Sequence, residues 1–89
     1  DCFIGPRVTF LNDKHPPSDE WLETIVEDGV SIGGGAIILP GLTLGEGCKI
    51  GAGAVVTHNV PKGEVWVGNP ASQLIKEGRV LKLIPLNMM

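Results

Sequence analysis

Apolar side chains that recur at every sixth residue predict an all-β fold, a solenoid of the parallel β-helix class. Val26, Ile32, Ile38, Leu44, Ile50 and Val56 form one unbroken register. A second register runs four residues behind it: Val30, Ala36, Leu42, Cys48, Ala54 and Val60, all apolar and mostly small. An α-helix repeats near 3.6 residues and a lone strand at 2, so a period of six fits neither. Composition agrees. Hydrophobic residues make up 43% of the 89, yet the aromatic ones are two Trp and two Phe, with no Tyr. Such a core is built from small aliphatic side chains in thin layers, as stacked coils require.

The elements follow in order. Residues 2–13 read as about two hexads, with Ile4 and Phe10 in the first register and Val8 in the second. The repeat is already running at Ile4-Gly5-Pro6-Arg7-Val8, so further coils are expected upstream. The pattern then breaks. Residues 14–24 carry Pro16, Pro17, Asp19, Glu20, Glu23 and Trp21, and are expected to be a loop extruded from the solenoid. Loops on rigid scaffolds often carry function. Trp21 equally suits a plain anchoring role, pinning that loop to the body.

From Val26 to Pro61 the repeat is uninterrupted. Three hexads close one triangular coil, so this stretch predicts two full coils, Val26–Thr43 and Leu44–Pro61. Glycines crowd the expected corners, Gly33–Gly35 and Gly51 with Gly53 among them, where positive φ or close backbone approach is needed. Slots on successive coils superpose, so a slip of one residue would turn the aliphatics outward. Beyond Pro61 the signal decays, and Lys62 stands where an aliphatic residue is due. Val65-Trp66-Val67 reads as a strand and Gly68-Asn69-Pro70-Ala71 as a turn. Residues 72–89 are expected as a C-terminal extension: a short helix from a Ser72 cap to Glu77, stopped by Gly78, then an apolar tail.

The bulk numbers bound the function. The chain, 1–89, is one domain. A formal net charge of −3 argues against a nucleic-acid-binding surface. No apolar run approaches the roughly 20 residues needed to span a bilayer, and no signal peptide is visible. Cys2 and Cys48 make no disulfide framework, so a reducing cytoplasm is the default location. Cys48 falls in the small inward register and reads as a buried aliphatic substitute rather than a reactive thiol. His15 and His58 are the two histidines, too few for a three-histidine zinc site, and no metal is expected.

Several segments carry a family resemblance. Ile32-Gly33-Gly34-Gly35-Ala36, Ile50 to Thr57, Val60-Pro61 and Gly68-Asn69-Pro70-Ala71 resemble the C-terminal half of the hexapeptide-repeat acyltransferases. Phe10-Leu11-Asn12-Asp13-Lys14 with the Pro that follows resembles the nucleotide-sugar N-acetyltransferases within them. The resemblance implies a left-handed parallel β-helix, a homotrimer and acetyl-CoA in the cleft between adjacent subunits. It implies N-acetylation of a nucleotide-linked amino sugar for surface polysaccharide synthesis.

The same resemblance supplies candidate site residues. Acyl transfer needs a group that orients or deprotonates the nucleophile and donors for the developing oxyanion. Asn12 matches the Asn of the amino-sugar branch, though it also suits a turn with Asp13. His15, followed by Pro16, matches the catalytic His-Pro of maltose- and galactoside-type O-acetyltransferases, which keeps O-transfer open as an alternative. A histidine is a credible base near neutrality, though a lone loop histidine is more often a plain surface residue. Gly34 and Ala52, one coil apart, correspond to positions that face the pantetheine arm. Thr57 and His58 stand where the family usually has Thr-Lys, and Ser72 where some relatives carry Arg. Two cations are thus missing, and Lys62, Lys76 and Arg79 are the candidates to replace them against the CoA phosphates. Those losses also leave room for a catalytically incomplete trimeric scaffold.

Overall fold

A computed structural model describes residues 1–11 and 23–88. Eleven short strands follow one another, eight of them only two residues long. They are β1 (Phe3–Ile4), β2 (Thr9–Phe10), β3 (Ile25–Val26), β4 (Ser31–Ile32), β5 (Ile37–Ile38), β6 (Thr43–Leu44), β7 (Lys49–Ile50), β8 (Val55–Val56), β9 (Val65–Gly68), β10 (Ala71–Glu77) and β11 (Val80–Ile84). A single 3-10 turn, Leu86–Met88, closes the described chain. Among the described residues no helix is long and apolar enough to cross a membrane.

The short strands stack into three faces. On the first, β1, β4, β7 and β9 pair in parallel; on the second, β2, β5 and β8; on the third, β3 and β6. Pairing is in register along each face: Ile4 with Ile32 and Ile50, then Trp66, and Phe10 with Ile38 and Val56. Each rung of the first face donates to the next at two steps, the second from Gly5, Gly33 and Gly51 to the Ile32, Ile50 and Trp66 carbonyls at 2.8 Å. Phe3, Ser31 and Lys49 donate their N–H groups to Val30, Cys48 and Glu64 carbonyls at 2.9, 3.0 and 2.9 Å. These uniform ladders are what a strict six-residue period produces when three hexads close a coil.

The core is the stack of inward residues. Val30, Ile32, Ala36, Ile38, Leu44, Cys48, Ala54 and Val56 have no exposed surface, with Ile50, Val60, Trp66 and Ala71 nearly as buried. The two expected registers therefore supply it almost entirely. Burial pushes the Cys48 thiol up to about 11, with Cys2 and then Glu27 adding in the same direction and a backbone hydrogen bond opposing them. Trp66 crowns the column above Ile50, and its indole N–H donates to Glu64 Oε1 at 2.9 Å. A large buried ring with a satisfied N–H closes a narrow core efficiently.

Two expectations need correction. The second full coil does not run to Pro61 in the six-residue period. Leu44 pairs with Val60, sixteen residues on, and Ile50 with Trp66, also sixteen on, where the earlier spacing is eighteen. The corner Thr57-His58-Asn59 is two residues shorter than Leu39–Thr43 beneath it. Val60 thereby enters the first register, and Lys62 is an exposed corner residue rather than a gap in the core. The shortened corner loses a ladder partner, and Asn59 Oδ1 replaces it by accepting from the Thr43 N–H at 2.8 Å.

The C-terminal helix is also absent. Residues 71–77 form strand β10, antiparallel to β9 on one side and to β11 on the other. Ser72 is a buried strand residue paired with Val67, not a helix cap. Gly78, expected as a helix stop, is the first residue of a two-residue hairpin loop at φ +60. Glycine at that position suits the tight turn whose twist matches paired strands. The Gly68–Ala71 turn is found as expected, with a cis Asn69-Pro70 bond. Pairing won over local propensity because the last coil offers β10 an open sheet edge on β9.

Candidate functional site

Coils bring the expected cofactor residues to the two ends of the second face. At one end a corner connects the first face to the second in every coil: Gly5-Pro6-Arg7, then Gly33-Gly34-Gly35, then Gly51-Ala52-Gly53. The Gly35 N–H donates to Pro6 O and the Gly53 N–H to Gly34 O, both at 2.9 Å. Gly34 and Ala52 are therefore vertical neighbours, as their spacing predicts. Ala52 O accepts from no backbone N–H among the described residues, leaving an acceptor at the upper end of the column.

Close approach explains why this corner is nearly free of side chains. A Cβ on Gly33 would lie 2.5 Å from Ala52 N, and one on Gly5 2.7 Å from Gly34 N. Backbone atoms cannot give way to that contact, so stacking itself demands glycine. The third position of the turn differs: Gly35 and Gly53 sit at φ +76 and +71, where a side chain is strained but space is open. The result is a strip of bare backbone two rungs tall.

At the other end of the second face stands the shortened corner. Thr57 Oγ1 and His58 Nδ1 lie 2.8 Å apart. With the hydroxyl donating to Nδ1, the imidazole is held to its own corner and Nε2–H remains available. His58 is exposed and Thr57 half-buried. Between the two corners the outward residues Ile37 and Val55 form an apolar floor one rung apart. Ser72 lies on β10, which continues the sheet of the first face beyond β9 and also touches β8. Among the described residues no buried side-chain polar atom lacks a partner. Ser72 retains 9% exposure as a residue and stands on β10, outside the two corners.

Asn12 and His15, with Trp21, lie outside the described residues, so the geometry of the expected nucleophile-activating group is not among these observations. The chain departs from the second face at Leu11, whose N–H still donates to Ile38 O at 2.9 Å, and rejoins at Thr24, whose hydroxyl accepts from the Gly41 N–H at 3.2 Å. Thr24, expected in the extruded loop, thus already belongs to the coil. Among the described residues no group of three His, Cys, Asp or Glu side chains is placed to hold a metal ion. Arg7, at φ +61, is the one non-glycine among the described residues with positive φ; its place opposite Gly35 and Gly53 in the repeat is the sequence signal for it.

Comparison with known proteins accords with this geometry. Residues 23–58 match the family described as bacterial transferase hexapeptide (six repeats). A tetrahydropyridine-2,6-dicarboxylate N-acetyltransferase of Staphylococcus aureus strain JH9 is 47% identical over 74 residues, covering 83% of this chain and 30% of that protein. A maltose O-acetyltransferase of Clostridium difficile 630 superposes with a TM-score of 0.75 at 36% identity, over 86% of this chain and 46% of that one. A perosamine N-acetyltransferase variant of Caulobacter crescentus, solved with CoA and GDP-perosamine, superposes with a TM-score of 0.67 at 28% identity, over 81% and 30% of the two chains. The chain spans less than half the length of each of these relatives. Residues 23–58 thus carry a repeat of that description, and the fold is the left-handed parallel β-helix that the family resemblance implies.

Proposed function

We propose that this chain is the coil-bearing part of an acetyl-CoA-dependent acetyltransferase that N-acetylates a nucleotide-linked amino sugar. The observation that carries the reading is the stripped corner of Gly33–Gly35 and Gly51–Gly53, a vertical strip of backbone in which Gly35 O, Ala52 O and Gly53 O accept from no backbone N–H among the described residues. A pantetheine arm is a narrow chain with two amides. It needs close backbone approach and hydrogen-bond acceptors rather than bulky side chains. Relatives that carry this repeat are acetyltransferases, and the Caulobacter relative holds both CoA and a nucleotide sugar.

In the reaction an acceptor amine attacks the thioester carbonyl. The C–N bond forms as the carbonyl becomes an oxyanion, and collapse of the tetrahedral intermediate expels the CoA thiolate. The amine proton passes to a base, for which His15 is our candidate, with Asn12 orienting the amine. The thiolate is then protonated. Thr57 and His58, at the far corner, are our candidates for contacting the cofactor's polar groups, with Lys62, Lys76 and Arg79 as candidates for supplying charge to its phosphates. A homotrimer would build the cleft's second wall. The exposed apolar side chains of the hairpin, Val80, Leu81 and Leu83, are consistent with such an assembly.

O-transfer to a small sugar is the second reading, favoured by the superposition on the maltose enzyme and by the His15-Pro16 pair. An acceptor panel with acetyl-CoA separates the two. Acetylation of amino sugars, with His15→Ala lowering the rate about a hundredfold at unchanged melting temperature, is the expected result. Acetylation of hydroxyl sugars alone would replace the N-transfer reading. Failure to bind CoA at millimolar concentration would leave a scaffold in place of an enzyme.

A further inference from the structure

We infer that Arg7 is an anion-recognition residue for the acceptor substrate, an inference that rests on the acetyltransferase reading above. Arg7 occupies the turn position that is Gly35 and Gly53 in the coils above, and all three adopt left-handed φ, +61, +76 and +71. The hydrogen bonds from Gly35 N to Pro6 O and from Gly53 N to Gly34 O stack the corners in one column. Left-handed backbone is disfavoured for residues bearing a Cβ, and a long cationic side chain gains nothing locally by adopting it. Asn and Gly are the usual occupants. A strained residue held against that preference points to work done by its side chain.

Placement says which work. Arg7 is exposed, so its guanidinium is free to face solvent beside the bare strip formed by Gly35 and Gly53. Among the described residues it is the one cation of the first coil. Lys62, Lys76 and Arg79 all lie beyond the last full coil. Three rungs separate the two groups, about 14 Å at the strand spacing. One compact phosphate group cannot engage both. Those cations lie at and beyond the corner above Glu46 rather than on the strip. If they serve the cofactor phosphates, Arg7, at the foot of the strip, serves a second anion. A planar guanidinium pairs bidentately with phosphate or carboxylate, so the acceptor it selects carries one of these.

The test uses Arg7→Asn, which removes the charge while suiting the left-handed corner. Melting temperature is followed with inorganic pyrophosphate, with a short dicarboxylate such as glutarate, and with neither. The variant is expected to melt no lower than the parent without additive. At least one anion should stabilise the parent and not the variant; which one does so separates a phosphate-bearing from a carboxylate-bearing acceptor. Equal response of both proteins to both anions overturns the inference, whether or not CoA binds. With the acceptor found by the panel, KM for acceptor should rise about tenfold or more at unchanged KM for acetyl-CoA. A rise in KM for acetyl-CoA alone would assign Arg7 to the cofactor and overturn the acceptor role. CoA calorimetry on the parent judges the acetyltransferase reading separately.

Discussion

Glycines in this molecule do two different jobs, and substitution separates them. Gly33 is not in a left-handed conformation, but its missing Cβ is what lets Ala52 N stack above it. Gly53 has open space around it and is required only by its φ of +71. Gly33→Ala is therefore expected to lower stability by about 1–3 kcal/mol through overpacking. Gly53→Ala should cost about 1 kcal/mol through backbone strain. Urea midpoints measure both; equal costs would mean that the coils do not approach as closely as described. Cys48 gives a second prediction. Its folded pKa, about 11, is raised above the ordinary 9.0 because the thiol is buried. The unfolded chain then loses this proton at lower pH than the folded one. The stabilisation is complete below about pH 9 and declines as pH rises towards about 11. The slope from this group is at most about 1.4 kcal/mol per pH unit. Cys48→Ala should flatten that component of the alkaline stability profile.

At the scale of elements, the shortened corner and the terminal hairpin mark where local sequence stops deciding structure. The sixteen-residue step rests on one side-chain substitute, the Asn59 Oδ1 that accepts from Thr43 N–H. Asn59→Ala should cost about 0.5–1.5 kcal/mol and speed hydrogen exchange at the Thr43 amide. An unchanged exchange rate would contradict the replacement. From sequence this step was hidden because Val60 is apolar and fits either register; only the unexplained Lys62 hinted that two residues had dropped out. The hairpin was missed for another reason. Ser72 to Gly78 has a helix cap, helix-compatible residues and a glycine stop, whereas its strand identity comes from pairing with β9 and β11. A pair of apolar runs flanking Gly78-Arg79 was the available signal. By contrast, the inward registers from Ile32 to Val56 were fully legible, because period alone fixes which side chains face the axis.

Across the whole molecule, stacking turns sequence spacing into vertical neighbourhood, and the candidate site is a direct product of it. Gly34 and Ala52 were placed together by an eighteen-residue interval, and Thr57 and His58 by the next corner. Ser72 lies on β10 beyond the last coil, where period carries no information. Asn12 and His15 lie outside the described residues, in a stretch of sequence where the six-residue period is broken. The central claim is that the bare corner receives acetyl-CoA. The most direct measurement is a titration of the isotopically labelled protein with CoA, followed through its backbone amide resonances. The account predicts saturable shifts largest at Gly34, Gly35, Ala52 and Gly53, smaller ones at Thr57 and His58, and none around Asp1 and Asp28 at the foot of the opposite corner. Shifts that are absent at millimolar CoA, or centred on that opposite corner, would contradict it.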